Sequence, residues 1–301
     1  MTACRLSRLV AGALAIAFSA PALAQYGTTT NPESQPNNYP PALPARTKPG
    51  PVLIFERLGE VALPGPLSSA PGFVAEGTVV IPVESGWAKV APEADATPSV
   101  VPAGERADES EWVLTGNGKR RFRTTQEGLV EAQKRRHEGK KWRKSWTVVA
   151  PNSIFAKPVL AGLRLCYAGL DDRVTCVRAK NGHRLWAVDL GDRLSRGLSC
   201  WPACGDHPGD GEILLAVPDD GATVIALDAY DGRKVATFEL PPTHHFASPA
   251  LVVTKERIAL SRKGYDDREA ALVLLRLIPP PPTEKHAPVP YNEGSPASSR
   301  R

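Results

Sequence analysis

Two stretches of this chain decide its fold: Arg173-Val-Thr-Cys-Val-Arg-Ala-Lys-Asn-Gly182-His-Arg-Leu-Trp186 and Thr223-Val-Ile-Ala-Leu-Asp-Ala-Tyr-Asp-Gly232-Arg-Lys-Val-Ala236. Each runs as a short strand of alternating apolar residues, a polar turn ending in Gly, and the start of a second strand, as in the outer hairpin of a propeller blade. Walking outward keeps the register. Phe155-Ala-Lys-Pro158 and Phe246-Ala-Ser-Pro249 open two equivalent segments 91 residues apart with one hairpin between them. The repeating unit is therefore about 45 residues, the length of a four-stranded blade.

Three units are clear, over 151–191, 195–241 and 243–278. Upstream, Ser69-Ala-Pro71-Gly-Phe-Val-Ala-Glu-Gly77-Thr-Val-Val-Ile81 gives an inner strand, a turn and a second strand. The stretch from Gly128 through Gly139 to Trp142 reads as an outer hairpin with one extra residue before its Gly. Thr124-x-x-Glu127 is also a capping-box spelling, and good helix formers follow at 132–137. Register with the other repeats favours strand there, and an insertion helix is the alternative. The fold class is therefore all-β, a propeller of about five four-stranded blades. The last unit ends at Ala271-Leu-Val-Leu-Leu-Arg-Leu277 and passes into proline, one strand short, while Val52-Leu-Ile-Phe55 is an orphan strand at the start. An N-terminal strand completing the final blade closes the ring and leaves no long open edge.

The termini bound where such a chain works. Arg5 and Arg8 precede an apolar run from Leu9 to Ala20, and Ala22-Leu23-Ala24 follows. A basic start, a short apolar stretch and an A-x-A ending describe a secretory signal over 1–24 rather than a membrane span, which needs about 20 apolar residues. Residues 25–50, rich in Pro, Asn and Thr, read as a disordered linker, and 279–301 as a disordered Pro-rich tail. The propeller then occupies 51–278, in a soluble periplasmic or secreted protein with no transmembrane segment. Cys4 precedes the apolar run, so no lipid anchor is expected. Losing Arg5 and Arg8 takes two of the five net positive charges and leaves +3. So mild a balance does not argue for nucleic acid.

Four of the five cysteines remain after cleavage, an even count that favours disulfides in an oxidising compartment. A hairpin with Gly169 opposite Arg173 sets Cys166 directly opposite Cys176, close enough to bridge. The expected pairs are Cys166–Cys176 and Cys200–Cys204.

The Val-x-Ala-x-Asp-x-x-x-Gly-x-x-x-Trp spelling resembles the tryptophan-docking repeat of quinoprotein-like propellers. That family contains pyrroloquinoline-quinone dehydrogenases and the envelope scaffold of outer-membrane assembly. The resemblance implies that Gly182 and Gly232 take tight turns and that Trp186 packs against the next blade. Three departures stand out: Cys176 replaces the Ala, Arg178 replaces the Asp, and Ala236 stands where Trp is expected. Trp142 falls one place early after Gly139. Fewer docking tryptophans imply looser blade contacts. The resemblance also implies that the cofactor-bearing members are about twice this length, usually with eight blades, calcium-binding acids and often an adjacent cysteine pair. This chain has no Cys-Cys and too few blades for that cage, so neither the quinone nor calcium is expected and catalysis is not.

Other clusters point the same way. Cys200-Trp-Pro-Ala-Cys204-Gly-Asp206-His207 has one His and the wrong spacing for the familiar thiol and haem motifs, and reads as a loop disulfide. His244 and His245 are adjacent on a strand and point to opposite faces, which suits no shared metal. The Asp171-Asp172, Asp219-Asp220 and Asp266-Asp267 pairs are turn formers. One feature remains as a surface candidate. Between Lys119 and Lys144 lie eleven Lys or Arg: Lys119, Arg120, Arg121, Arg123, Lys134, Arg135, Arg136, Lys140, Lys141, Arg143 and Lys144, with Phe122, Trp142 and Trp146 interleaved. Charge runs are commonly only solvated faces. Alternatively, this one docks lipid headgroups, acidic glycans or an acidic protein. The sequence thus reads as an exported, non-catalytic interaction scaffold whose partner is an envelope protein or an anionic surface. A quinone oxidoreductase, or its partner subunit, and a glycan-binding module are the alternatives.

Overall fold

Alternating apolar residues separated by glycine turns can bury one face only by stacking sheets, and the chain does so repeatedly. The computed structural model describes residues 52–68, 72–93, 95–102, 111–201, 212–264 and 269–281. The leader, the linker, Cys204 and most of the Pro-rich tail lie outside them. The described residues contain strands and no helix, arranged as five antiparallel sheets in chain order.

Blade 1 is β2 (Phe73–Ala75), β3 (Thr78–Val83), β4 (Gly86–Val90) and β5 (Ser99–Val101). Blade 2 is β6 (Val113–Leu114), β7 (Arg120–Thr124), β8 (Leu129–Lys134) and β9 (Arg143–Val149). Blade 3 is β10 (Val159–Ala161), β11 (Arg164–Ala168), β12 (Arg173–Arg178) and β13 (Arg184–Asp189). Blade 4 is β14 (Leu198–Trp201), β15 (Ile213–Ala216), β16 (Thr223–Asp228) and β17 (Lys234–Glu239). Blade 5 has an inner strand interrupted around Pro249, as β18 (His244–Phe246) and β19 (Leu251–Thr254), then β20 (Arg257–Gly264) and β21 (Ala270–Ile278).

Its fourth strand comes from the other end of the chain. β1 (Ile54–Ala62) pairs antiparallel with β21 from Ile54 opposite Ile278 to Ala62 opposite Ala271. Glu56 faces Arg276 in this register, and the guanidinium donates to the carboxylate and holds it below its usual range. The long apolar edge of β21 is thereby covered.

Apolar clusters fill the seams between blades 2 and 3, 3 and 4, 4 and 5, and 5 and 1. Two of these seams carry the same device. Trp186 lies on the Gly232 turn of the next blade, where a Cβ would come within 2.6 Å of the indole, and its Nε1 donates to Ala229 O at 3.2 Å. Trp146 repeats this on Gly182, with 2.8 Å to a Cβ and a 3.2 Å bond to Ala179 O. Both glycines have φ near +75° to +79°, so the turn and the dock each demand Gly. Register confirms the equivalence: Ala132 faces Trp146, Cys176 faces Trp186 and Ala226 faces Ala236, each followed by a bulge.

The docking tryptophan of blade 2 is therefore Trp146 and not Trp142. The chain from Ala132 to Trp146 is four residues longer than that from Cys176 to Trp186 or from Ala226 to Ala236, which carries Trp142 away from the seam. The seam beyond Ala236 is not loose. Phe238 packs against Phe55 and Phe246 with ring centroids 6.4 Å apart in each pair, within the largest of the apolar clusters. Residues 124–134 are hairpin, not helix. Thr124 does not cap: its Oγ1 donates to Ala156 O at 2.6 Å, and Thr125 closes the tight turn between β7 and β8, with Gly128 N donating to Thr125 O and Leu129 N to Thr125 Oγ1.

Cys166 and Cys176 form the expected disulfide, fixed by Gly169 N donating to Arg173 O at 3.1 Å. Cys200 is a half-buried thiol on β14, and the second expected bridge involves Cys204, outside the described residues. Burial first, then the nearby Glu212, pushes the Cys200 thiol up to about 12, so it stays protonated and inert at neutral pH.

Two outcomes follow for denaturant unfolding of the full chain. Trp186→Ala costs about 3–5 kcal/mol, whereas Trp142→Ala costs less than about 1 kcal/mol, because only the first empties a seam. Replacing Cys166 and Cys176 together by Ala lowers stability by about 3 kcal/mol, the loop-closure value for a short crosslinked hairpin.

Candidate anion-binding groove

The turns that end β6, β8, β10, β12 and β16 fall at one end of blades 2, 3 and 4 and enclose a groove of about 970 Å³. Blade 2 contributes Lys119 and Arg120 from one turn and Lys134, Arg135 and Arg136 from the next. Blade 3 contributes Arg164, Arg178 and Lys180, and Tyr230 reaches in from blade 4. Eight cationic side chains line the cavity, and none of the lining residues is Asp or Glu.

The hydrogen bonds of these side chains leave positive charge in the groove. Arg120 Nη1 donates to Lys180 O at 3.1 Å, and Arg135 Nε to Gly118 O at 2.9 Å, so both guanidiniums are anchored to carbonyls rather than neutralised by carboxylates. Arg164 stacks 4.6 Å above the Tyr230 ring. Behind it sits Glu212, whose carboxyl burial pushes above the usual range while Arg164 pulls it back.

The repeat itself marks these positions. In blade 4 the buried Asp228 accepts from Tyr230 N at 2.9 Å, and its carbonyl accepts from Gly232 N. Arg178 holds the same place in blade 3, its carbonyl accepting from Gly182 N. Lys134 holds it in blade 2, since Arg135 N donates to Lys119 O as Ala179 N does to Leu163 O and Ala229 N to Glu212 O. Two successive blades have given up the turn-bracing carboxylate for a cation. Each cation also faces another across the ladder: Arg120 opposite Lys134, and Arg164 opposite Arg178. Like charges so placed are destabilising, which sets this end of the molecule apart from a merely solvated face.

The basic run of the sequence is divided by strand alternation. Lys119, Arg120, Lys134, Arg135 and Arg136 line the groove, but Arg121 points to the other face of blade 2. There it lies 4.2 Å from the Trp112 ring and 4.5 Å from Trp142, while Arg123 covers Trp112 at 4.8 Å and Arg135 covers Trp142 at 4.6 Å. Burial, then repulsion from Arg123 and Arg135, lowers the Arg121 guanidinium, and the 2.7 Å bond from Arg123 to Glu131 raises that of Arg123. Lys140, Lys141, Arg143 and Lys144 are exposed and outside the groove. Arg164, Lys180 and Tyr230 were not among the sequence candidates. The signal that could have found the site was Arg178 in the Asp position.

His245 Nδ1 lies 2.9 Å from Asp220 O, and His244 places Nδ1 3.0 Å from Thr243 Oγ1 and Nε2 4.0 Å from the Glu269 carboxylate. Among the described residues no group of three His, Cys, Asp or Glu is placed to hold a metal ion, and no helix is long and apolar enough to cross a membrane.

No family model matches the chain, and no curated protein matches it. Solved structures do resemble it. BamB from Moraxella catarrhalis is 12% identical with a TM-score of 0.39, covering 72% of this chain and 63% of its own. Sqt1 of Chaetomium thermophilum, bound to the N-terminus of ribosomal protein L10, is 10% identical with a TM-score of 0.44, over 68% of this chain and 57% of its own. The β-propeller domain of Cps50 (Swd1) from Myceliophteria thermophila is 14% identical with a TM-score of 0.40, over 67% and 66%. The chain thus spans less than two thirds of the length of BamB and of Sqt1. The five-bladed architecture rests on its own strand order and register.

Restoring the repeat's carboxylate tests whether the cations cost stability. Arg178→Asp places an acceptor near Lys180 N and an opposite charge across from Arg164, and raises unfolding free energy by about 0.5–1 kcal/mol in denaturant titrations.

Proposed function

We propose that this chain is a divergent quinoprotein-like propeller acting as a non-catalytic interaction scaffold of the cell envelope, and that it holds an anionic partner in the groove. One observation carries the reading: eight cations from two blades line a cavity of about 970 Å³ that has no carboxylate on its walls. A concave surface of one sign focuses field and raises the local concentration of opposite charge, so it selects anions before any specific contact forms. Arginines anchored to backbone carbonyls are preorganised, and less conformational entropy is lost when they bind.

The family half of the reading is supported by the two tryptophan docks, which reproduce in side chains what the resemblance implied from spelling. The export half is supported by the leader-like residues 1–24 and by the Cys166–Cys176 disulfide, a bond that persists in oxidising compartments.

Retention of the full chain on an immobilised polyanion, eluted by salt, tests this. The double variant Lys134→Glu with Arg136→Glu weakens binding at least about tenfold, as loss of charge-assisted hydrogen bonds predicts. Lys140→Glu with Lys141→Glu changes net charge equally but lies outside the groove, and leaves elution close to wild type. If the two variants elute alike, net charge alone explains retention and the groove is not the site.

A further inference from the structure

The cations of the groove come in pairs. Arg120 opposite Lys134 and Arg164 opposite Arg178 occupy matching register positions in successive blades. The first pair lies two residues along from Phe122 and Ala132, the second two along from Cys166 and Cys176. Each therefore sits on the face that meets the next blade, at the mouth of a docked seam. Directly opposite residues have Cβ atoms about 5 Å apart, so each pair roots two cationic side chains at one point of the groove wall. A phosphate in a lipid headgroup, a singly charged diester, presents two free oxygens and so accepts from both members of such a pair at once, and two linked diesters supply one phosphate for each pair.

Apolar surface lies beside both pairs. Leu163 is 77% exposed at the groove wall, Leu185 lines it, and the Tyr230 ring extends it beneath Arg164. A purely hydrophilic polyanion leaves that surface unused, whereas the boundary between a lipid headgroup and its chains covers it. Resting on the anionic-partner reading above, we infer that the groove binds a lipid headgroup bearing two phosphates, one at Arg120 and Lys134 and one at Arg164 and Arg178. Leu163 and Tyr230 meet the apolar part of the same lipid.

Co-sedimentation of the full chain with phosphatidylcholine vesicles tests this at about 0.15 M salt, where remote charges are screened. One set contains cardiolipin, with two phosphates in one headgroup, and the other twice the mole fraction of phosphatidylglycerol, so total charge is equal. The expected result is at least tenfold tighter binding to cardiolipin. Arg120→Gln with Lys134→Gln, and Arg164→Gln with Arg178→Gln, each abolish the preference while tryptophan fluorescence reports a native fold. Lys140→Gln with Lys141→Gln keeps it. Equal binding to both vesicle types, still lost in the groove variants, overturns the two-phosphate inference and leaves the anionic groove standing. Retention on the polyanion column without binding to either vesicle overturns the lipid assignment alone. Failure on column and vesicles together overturns both readings.

Discussion

A tryptophan laid on a glycine turn of the following blade is the contact on which the rest of this structure depends. Trp146 on Gly182 and Trp186 on Gly232 fill two seams and fix them through single indole hydrogen bonds to the same carbonyl position. The dock sets where each outer hairpin turns, and that turn sets which residues point into the cleft below it. Arg120, Lys134, Arg164 and Arg178 converge because two successive blades are locked in one register. In blade 4 Ala236 stands at the dock position, and the apolar bulk of that seam comes from Phe238 two residues along the same strand, packed against Phe55 of β1 and Phe246 of β18.

The architecture was legible wherever local chemistry and repeat register agreed. Glycine turns, alternating strands, the orphan strand at residues 54–62 and the Cys166–Cys176 register all follow from period-two patterning and short-range turn geometry. Misreadings arose where turn length varied. Counting from Gly139 selected Trp142, but the turn before β9 holds extra residues and the true dock is Trp146. Thr124-x-x-Glu127 spelled a helix start because threonines mark helix caps and tight β-turns alike, and here the neighbouring Thr125 closes the turn while Thr124 bonds Ala156 O. The groove was half legible. Its blade 2 cations sit in a visible run, yet alternation sends Arg121 to the far face, and Arg164, Lys180 and Tyr230 arrive from blades that no local window joins.

That far face has its own logic. Among the described residues no apolar cluster spans blades 1 and 2, and the facing surface of β7 and β8 carries a stack instead: Arg123, Trp112, Arg121, Trp142 and Arg135 in alternation. Interleaving guanidiniums with indoles lets like charges lie close together, because each ring face is attractive to the cation on either side. Arg135 belongs to both systems, ending the stack and lining the groove, so the stack helps hold one wall in place.

Two repulsive pairs at the ends of neighbouring hairpins would fray those ends unless something opposed them, and the two blades oppose it differently. In blade 3 the Cys166–Cys176 disulfide joins the strands two residues from Arg164 and Arg178 on the same face, so the backbones there cannot part without breaking a covalent bond. In blade 2 the corresponding pair is Phe122 and Ala132, with no crosslink, and there the guanidiniums are tied elsewhere: Arg120 to Lys180 O in the next blade and Arg135 to Gly118 O. One blade confines its charge by chemistry and the other by hydrogen bonds to carbonyls. Cys176, where blades 2 and 4 carry Ala132 and Ala226, and Arg178, where blade 4 carries Asp228, thus lie side by side, and the crosslink holds together the strands that the like charges push apart.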